Sequence, residues 1–369
     1  MSASSRDRKF PLAIEALALS EAAAPFSLRL GQGEALSLLS EDAQSLSLFC
    51  DVLAGFASPT CGKIFIDGQD ITSEPPEHRA IVLISPRDPV FGHLDVAANI
   101  ALALRAKGAA AQLIDATVKK TLALVGLDAQ IGHRADLLTP EQAARLKLAR
   151  ALAGAPSVLV LDGLLNELDL RAASKTRDLV TRLQRALGLT LIHAASSRED
   201  ALWLGGRIAL LDRHALIQCA DAATLMERPS DARSASLFGE ANLLTGRVLE
   251  IEDDVARIHL ACGGVVEAMA DAELAVDALC ILCIRPDRMT PLFAALTASD
   301  DETPPLVATI QSVLHTGEHI RFRLRLADGG EIEMRRPLLQ PMRGVTQGAL
   351  LQLAWQASQA VAFPMKDDL

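Results

Sequence analysis

Short apolar runs alternate with amphipathic stretches through the first part of the chain, and this alternation restricts the possible fold more than any other feature. Runs of strand length occupy 34–39, 80–85, 157–162 and 189–194. Helical patterns occupy 44–54, 96–106, 110–125, 140–153 and 170–186. Because parallel strands are joined by crossover segments that are usually helices, this order predicts an α/β unit built on a parallel sheet.

The pattern changes near residue 239. From Asn242 onward, short alternating strands are separated by glycine turns, which is typical of a small all-β barrel. We therefore predict two domains, 1–238 and 239–369. The acidic, proline-containing stretch 298–305 is expected to be a loop or linker inside the second domain.

Composition disfavours nucleic acid as a partner. The chain carries 36 Lys+Arg against 46 Asp+Glu, has a formal net charge of −10 and contains no tyrosine. Both the electrostatic attraction and the stacking surfaces that such a partner needs are therefore scarce. The chain shows neither a secretory leader nor an apolar run long enough to span a bilayer, so we expect a cytoplasmic protein.

The six cysteines lack the spacing of a zinc site. The one close pair, Cys280 and Cys283, lies in an apolar run. Residues three apart on a strand point to opposite faces, so we expect two buried thiols there and no metal site.

Several stretches of the chain resemble the ATP-binding subunits of ABC importers, in the order that this family has. They are residues 53–72, 75–79, 90–100, 145–152, 161–169 and 239–244. The resemblance implies an ABC cassette with a P-loop-type sheet, a helical subdomain at about 87–153, and an OB-like (TOBE-type) regulatory barrel as the second domain. The closest branch serves sugars, polyamines, ferric iron or sulfate, and the 239–244 and Trp355 pattern favours the polyamine type.

The phosphate loop of that family is altered here. Its pattern, G-x-x-G-x-G-K-S/T, supplies inward-pointing N–H groups, a lysine for the phosphates and a hydroxyl for Mg²⁺. The matching residues are Ser40, Ala43, Ser45, Leu46 and Ser47. Only the last is still suitable.

Two carboxylates, Glu41 and Asp42, stand inside the same loop and would oppose a triphosphate. The alternative interpretation is a plain strand-to-helix turn whose acidic residues favour the helix dipole.

The other catalytic positions of the family are also changed. Its metal-contacting glutamine corresponds to Pro86, its catalytic glutamate to Gly163, and its switch histidine to Ser196. Asp162 remains, either as a vestigial Mg²⁺ position or as a structural cap. His193 is expected to be a packed strand residue, and Phe26 to be a core residue more than an adenine-stacking ring.

The signature L-S-G-G-Q of the family, which presents N–H groups to the nucleotide of the opposite subunit, corresponds to Leu138, Thr139, Pro140, Glu141 and Gln142. Proline has no N–H and glutamate adds negative charge, so we expect a spoiled anion site. The D-loop of the family corresponds to Leu168 and Asp169.

These departures predict a degenerate cassette, a pseudo-ATPase with no catalytic residues, no metal and no cofactor. By resemblance it would lie on the inner face of the membrane, bind the membrane subunits through its helical subdomain, and pair with an intact paralogue or a second copy. One alternative is an active ATPase that uses ATP and Mg²⁺. Another is a soluble regulator that uses the barrel, where 285–288 and 315–319 are candidate turns.

Overall fold

The computed structural model describes residues 10–292, 306–338 and 346–365. The chain divides into two compact units, Met1–Ala222 and Ala223–Leu369. The predicted linker at 298–305 lies outside the described residues.

The first unit contains ten strands and most of the helices. The strands are β1 (Leu12–Ala18), β2 (Phe26–Leu30), β3 (Ala35–Leu39), β4 (Cys61–Ile66), β5 (Gln69–Asp70), β6 (Ile81–Ile84), β7 (Val158–Asp162), β8 (Thr190–Ala195), β9 (Arg207–Asp212) and β10 (Ala215–Asp221). The helices are α1 (Ala43–Ala54), α2 (Val96–Ala106), α3 (Ala111–Val125), α4 (Pro140–Ala153), α5 (Leu170–Leu187) and α6 (Arg198–Leu202).

The central sheet has the strand order β10-β9-β3-β8-β7-β6. The strands from β9 to β6 are parallel, and β10 closes one edge as an antiparallel partner of β9. A second, antiparallel sheet has the order β2-β1-β4-β5. The predicted α/β unit with a parallel sheet is confirmed.

Strand β7 shows how the sheet serves two cores. Val158 and Val160 pack on the side of α1 and the antiparallel sheet. Leu159 and Leu161 pack on the opposite side, with α2, α3, α4 and α5. Because both faces are covered, the whole strand is apolar, as expected for a buried parallel strand. The carboxylate of Asp162 comes at its end, where the sheet edge is more open.

The second unit begins with α7 (Ala222–Glu227), which straddles the division, and α8 (Ala232–Gly239). Its strands are β11 (Asn242–Glu252), β12 (Val255–Leu260), β13 (Val265–Ala270), β14 (Leu279–Ile284), β15 (Thr290–Leu292), β16 (Leu306–His315), β17 (His319–Leu326), β18 (Glu331–Pro337), β19 (Leu350–Ala354) and β20 (Ala360–Pro364). Helix α8 contacts β14, which explains why the second unit begins before the predicted residue 239.

Five strands form a closed barrel in the order β11-β12-β13-β20-β14, which confirms the predicted all-β barrel. The other five form a sheet in the order β15-β19-β16-β17-β18, and one apolar core joins that sheet to the barrel. Cys280 lies in this core, whereas Cys283 faces α8. Burial raises the pKa of Cys280 to about 11 and that of Cys283 to about 12, so both are neutral thiols.

Within the described residues, no helix combines the length and the apolar character needed to cross a membrane, and no cluster of three or more metal-binding side chains occurs.

Candidate functional site

The turn between β3 and α1 is closed by its own carboxylate. Asp42 is the N-cap of α1 and accepts hydrogen bonds from Gln44 N at 2.9 Å, from Ser45 N at 3.2 Å and from the Ser45 hydroxyl at 2.8 Å. Its own N–H donates to the Ser40 hydroxyl at 3.1 Å. These bonds lower the pKa of Asp42, with the Ser45 hydroxyl the largest cause. Two of the first-turn N–H groups that could bind an external anion, those of Gln44 and Ser45, therefore already donate to this carboxylate.

The helix itself extends into the loop. Ala43 and Ser45, at two glycine positions of the family, are already helical, and Ser45 is fully buried with its hydroxyl 3.0 Å from Nδ1 of His214. Leu46, at the lysine position, is 6% exposed and packs in the apolar core beneath the antiparallel sheet. Because Leu46 points into the core, this position offers no cation to a phosphate at the loop.

Two positions that match metal-binding residues of the family lie within hydrogen-bonding distance of each other. The Ser47 hydroxyl donates to Asp162 Oδ2 at 3.1 Å across the α1–β7 junction. Burial raises the pKa of Asp162, and the hydrogen bond from Ser47 partly opposes that rise. A hydroxyl and a carboxylate are oxygen ligands of the kind that Mg²⁺ accepts. This pair fits a metal ion, although two protein ligands alone leave most of its coordination to water and phosphate.

Arg87 supplies positive charge beside this pair. Its guanidinium bonds Asp51 at 2.5 Å and also lowers the pKa of Asp162. The sequence analysis did not identify Arg87 as a site residue. Its place next to Pro86, which matches the family's metal-contacting glutamine, was the one feature that could have indicated it. The chain thus provides a cation of its own next to Asp162.

Pro86 and Gly163 lie against each other at the carboxyl ends of β6 and β7. Gly163 has φ +69°, and a Cβ at this position would lie 2.9 Å from Asn166 Nδ2 and 3.0 Å from Pro86 Cγ. A side chain at the family's catalytic position would therefore first meet the Asn166 amide and the Pro86 ring. No carboxylate of this turn can polarise a water molecule from that position.

The end of β8 is held by a buried carboxylate that sequence reasoning missed. Asp200 Oδ2 accepts from Ser196 N at 3.0 Å and from the Ser196 hydroxyl at 3.3 Å, and it lies 3.1 Å from His193 Nε2. Arg177 donates to Oδ1 at 3.0 Å. These hydrogen bonds outweigh burial and hold the pKa of Asp200 well below its usual range.

His193 is a packed strand residue, as expected. It lies inside β8, is 2% exposed, and its ring meets that of Trp203 edge-on with centroids 5.4 Å apart. Ser196, at the switch position, is bound to Asp200 and has a hydroxyl where the family has an imidazole. This position therefore lacks a group that could hold a phosphate through an imidazole N–H.

The start of α4 is also capped by its own side chains. The Thr139 hydroxyl accepts from Gln142 N at 3.3 Å, and the Gln142 side chain accepts from Thr139 N at 3.0 Å. Pro140 is the first helical residue and has no N–H, while Glu141 bonds Arg145 at 2.6 Å. This reciprocal capping box uses two of the donors that the signature would present to a phosphate.

The remaining residues that the sequence singled out have structural roles in the first unit. Leu138 and Leu168 pack against the core of the helical layer. Asp169 is the N-cap of α5 and accepts from Ala172 N at 2.8 Å. Phe26 is 8% exposed and stacks on Phe49 in the core, so it is not placed to stack on an adenine.

A groove of about 570 Å³ opens on the first unit, bordered by α1, β6, α2 and α4. Phe56 is 66% exposed in this groove. The lining carries both charges, with Lys107 and Lys147 among its cations and Arg150 paired with Asp88 at 2.6 Å. The Arg79 side chain donates to four carbonyl oxygens, two of them on α1, and so joins α1 to the segment before β6.

The loop has neither a lysine nor a glycine at the positions that match the family, and the N–H groups of Gln44 and Ser45 are bonded to Asp42. These residues offer a triphosphate few of the contacts that the family pattern supplies. The Ser47–Asp162 pair alone fits a metal ion. The motif order located the altered positions and the Asp42 carboxylate, whereas the contacts of Arg87 and Asp200 could be found only in the structure.

Comparison with known proteins gives two family matches. The ABC transporter model matches residues 24–166, and the TOBE domain model matches residues 282–363.

Among curated proteins, similarity extends over most of the chain. The spermidine/putrescine import ATP-binding protein PotA of Rubrobacter xylanophilus is 30% identical over 333 residues, 90% of this chain and 86% of that protein. PotA 1 of Pseudomonas aeruginosa is 31% identical over 314 residues, 84% of this chain and 83% of that protein. Among solved structures, cbiO1 from Clostridium perfringens, part of an ABC transporter complex, matches with a TM-score of 0.54 and 19% identity, covering 62% of this chain and 95% of that one. This last likeness concerns the fold.

Proposed function

The chain belongs to the ATP-binding subunits of ABC importers that carry a C-terminal TOBE domain, and on this premise we propose that it serves such a transporter without holding ATP on its own phosphate loop. In this proposal its role is structural and regulatory within the transporter complex. The observation that carries the proposal is the carboxylate of Asp42, which binds the N–H groups of the first turn of α1.

Charge and shape both support this proposal. A phosphate at the loop would have to displace the Asp42 carboxylate and would lack a lysine partner, a charge-assisted contact worth roughly 1.5–3 kcal/mol. Pro86 and Gly163 stand where the family has a glutamine and a glutamate, so the two side chains that would position and polarise the attacking water are missing. The capping box at Thr139 weakens the other composite site, the one that a partner's loop would share with this chain.

The proposed partners are the membrane subunits of the importer. The groove beside Phe56 has an exposed apolar side chain and charged residues of both signs at its rim, which suits a short segment of another protein. The second cassette would be an intact paralogue or a second copy of this chain. The names of the relatives favour a polyamine importer, and the site of action would then be the cytoplasmic face of the membrane.

The first prediction concerns nucleotide affinity. We expect no heat of binding in calorimetry, and no rise in the thermal midpoint, when millimolar ATP and Mg²⁺ are added, because a ligand stabilises a protein only when it binds the folded state. An ATP-binding subunit with an intact phosphate loop, treated in the same way, is the positive control. Micromolar binding would overturn the proposal.

The second prediction concerns docking. Replacing the exposed ring, Phe56→Asp, should abolish co-purification of the chain with its membrane subunits, since a charge in the groove opposes burial of an apolar segment. The matched control is Leu187→Asp at the end of α5, where the side chain is 41% exposed and lies outside the groove. Recovery of the wild-type chain without any membrane subunit would favour a soluble regulator instead.

A second candidate function is an active ATPase. The names of the relatives favour it, and so does the Ser47–Asp162 pair, whose oxygens fit Mg²⁺. If the assembled transporter hydrolyses ATP on this chain, Asp162→Asn should abolish phosphate release by removing a ligand charge from the metal. If hydrolysis belongs to another cassette, the same variant should leave the rate unchanged.

A further inference from the structure

A cavity in the second unit is unrelated to the nucleotide loop. It has a volume of about 340 Å³ and lies among α7, α8, the end of β14 and the residues before β20. Its charged lining residues are one carboxylate, Glu227, and three guanidinium groups, Arg228, Arg285 and Arg288. Ser358 and Gln359 add a hydroxyl and an amide. This positive lining contrasts with the net charge of −10 of the whole chain.

Arg285 is held in a fixed orientation by the turn it begins. The N–H of Arg288 donates to the Arg285 carbonyl at 3.0 Å, and the Pro286 carbonyl accepts from Arg335 N at 2.9 Å. Asp287 takes Nε and Nη2 of Arg285, each at 3.0 Å. The stem of the side chain lies against Gly239, whose added Cβ would be 3.8 Å from Arg285 Cγ. Two of the three guanidinium nitrogens are therefore committed, and the third is positioned by them.

The third guanidinium nitrogen of Arg285, Nη1, is hydrogen-bonded to a weak acceptor. Nη1 donates to the thioether sulfur of Met226 at 3.2 Å, and within the described residues this is the bond that the structure gives it. A thioether is a weak acceptor, whereas a guanidinium N–H makes its strongest bonds to anionic oxygen. A fixed guanidinium nitrogen with a soft partner at a cavity wall is thus suited to an external oxyanion.

The rest of the wall is compatible with such a ligand. Arg288 forms a long ion pair with Asp287, at 3.9 Å, which neutralises its charge incompletely. Cys283 is a neutral thiol at the base of the cavity and adds no negative charge. Glu227 is the one carboxylate of the lining. It would repel an anion bound close to it, so the ligand must bind on the arginine side of the cavity. The volume lies at the lower end of the range for small-molecule pockets.

We propose that this cavity is a binding site for a small anion bearing a carboxylate or a phosphate, held by Nη1 of Arg285 and by Arg288. The site would let the barrel unit respond to a metabolite, and it is independent of whether the loop at Ser40 binds ATP.

The test uses the full-length chain with methyl-labelled methionines observed by NMR. Orthophosphate and succinate, added separately at millimolar concentration, serve as probes. The Met226 methyl resonance, assigned with Met226→Leu, should shift in a saturable way with at least one probe, and the probe that acts identifies the source of the oxyanion. The methyl of Met365, whose N–H donates to the Leu279 carbonyl at the other end of β14, is the internal control and should not move.

Arg285→Gln should weaken the response of Met226 at least about tenfold, the usual loss when a charge-assisted contact is removed. Arg257→Gln is the matched control, because Arg257 forms an ion pair with Glu250 on another part of the barrel. Near-normal dispersion of the other methyl signals checks that each variant is folded. If Met226 does not shift with either probe, or if Arg285→Gln responds like the wild type, the proposal is wrong.

Discussion

At the positions that match the family's nucleotide-binding residues, side chains of this chain bond and pack against one another. The carboxylate of Asp42 accepts from the N–H groups of Gln44 and Ser45, and a Cβ at Gly163 would meet Asn166 and Pro86. Each of these residues is packed against, or bonded to, a neighbour that also differs from the family pattern. The changes are therefore coupled, and reversing one of them alone should be unfavourable.

Gly163→Glu tests this coupling. The φ of +69° and the close contact with Pro86 should together cost roughly 1–3 kcal/mol of unfolding free energy, measured by urea denaturation. Gly108→Glu is the control for backbone strain alone, since Gly108 has φ +71° and nothing within 4 Å of an added Cβ.

The double variant Pro86→Gln, Gly163→Glu should recover at least about 0.5 kcal/mol relative to the sum of the single changes. If the losses of unfolding free energy from the two single variants simply add in the double variant, the proline ring does not limit the side chain at residue 163. If Gly108→Glu and Gly163→Glu lose the same unfolding free energy, backbone strain alone explains the loss.

At the scale of secondary-structure elements, the side chain of Asp200 links α5, α6 and β8 through hydrogen bonds. It lies on α6, bonds Arg177 on α5, and receives the bonds of His193 and Ser196 at the end of β8. Because it is 4% exposed, its charge is stabilised by these partners and not by bulk water.

Asp200→Ala should lower the unfolding free energy at neutral pH by roughly 3 kcal/mol, because it leaves the partners of a buried carboxylate unpaired. The pKa of Asp200 is lowered in the folded state, so its stabilisation is complete above the ordinary value of 3.8 and is lost as the pH falls below it. The difference from wild type should therefore be constant down to about pH 4 and shrink below it. Asp178→Ala, an exposed carboxylate on α5, is the control and should change little at any pH.

The sequence predicted the parallel strands because a short, uniformly apolar run is typical of a strand that is buried on both faces. It did not predict the antiparallel sheet of β1, β2, β4 and β5. Strand β1 contains an irregularity between Ile14 and Leu17, and Ala16 has φ +46°, so the period-two alternation is interrupted there. In the site, motif order found the altered positions, whereas the Pro86–Gly163 contact joins segments far apart in the chain and has no local signal.

On the scale of the whole molecule, each unit has an apolar core of its own, and each holds one of the two tryptophans. Trp203 lies in the first unit beside His193, and Trp355 lies in the second, where its indole N–H donates to the Glu267 carbonyl at 3.0 Å. The two units can therefore be followed separately by fluorescence.

Phe322→Ala should destabilise only the second unit. The side chain is 1% exposed in the core of that unit, and its truncation should cost about 3–5 kcal/mol. In the Trp203→Phe background, where Trp355 alone reports, the urea midpoint should fall. In the Trp355→Phe background, where Trp203 alone reports, the urea midpoint should not change. An equal fall of the midpoint in both backgrounds would show that the two units unfold as one.

The burial of Leu46 has a consequence for any attempt to engineer a lysine at this position. Leu46→Lys would bring an ammonium group into a packed apolar layer, at a cost comparable to the whole margin by which a domain stays folded. A phosphate-binding loop could therefore not be built here by that single change, because the neighbouring apolar side chains would also have to make room for the charge.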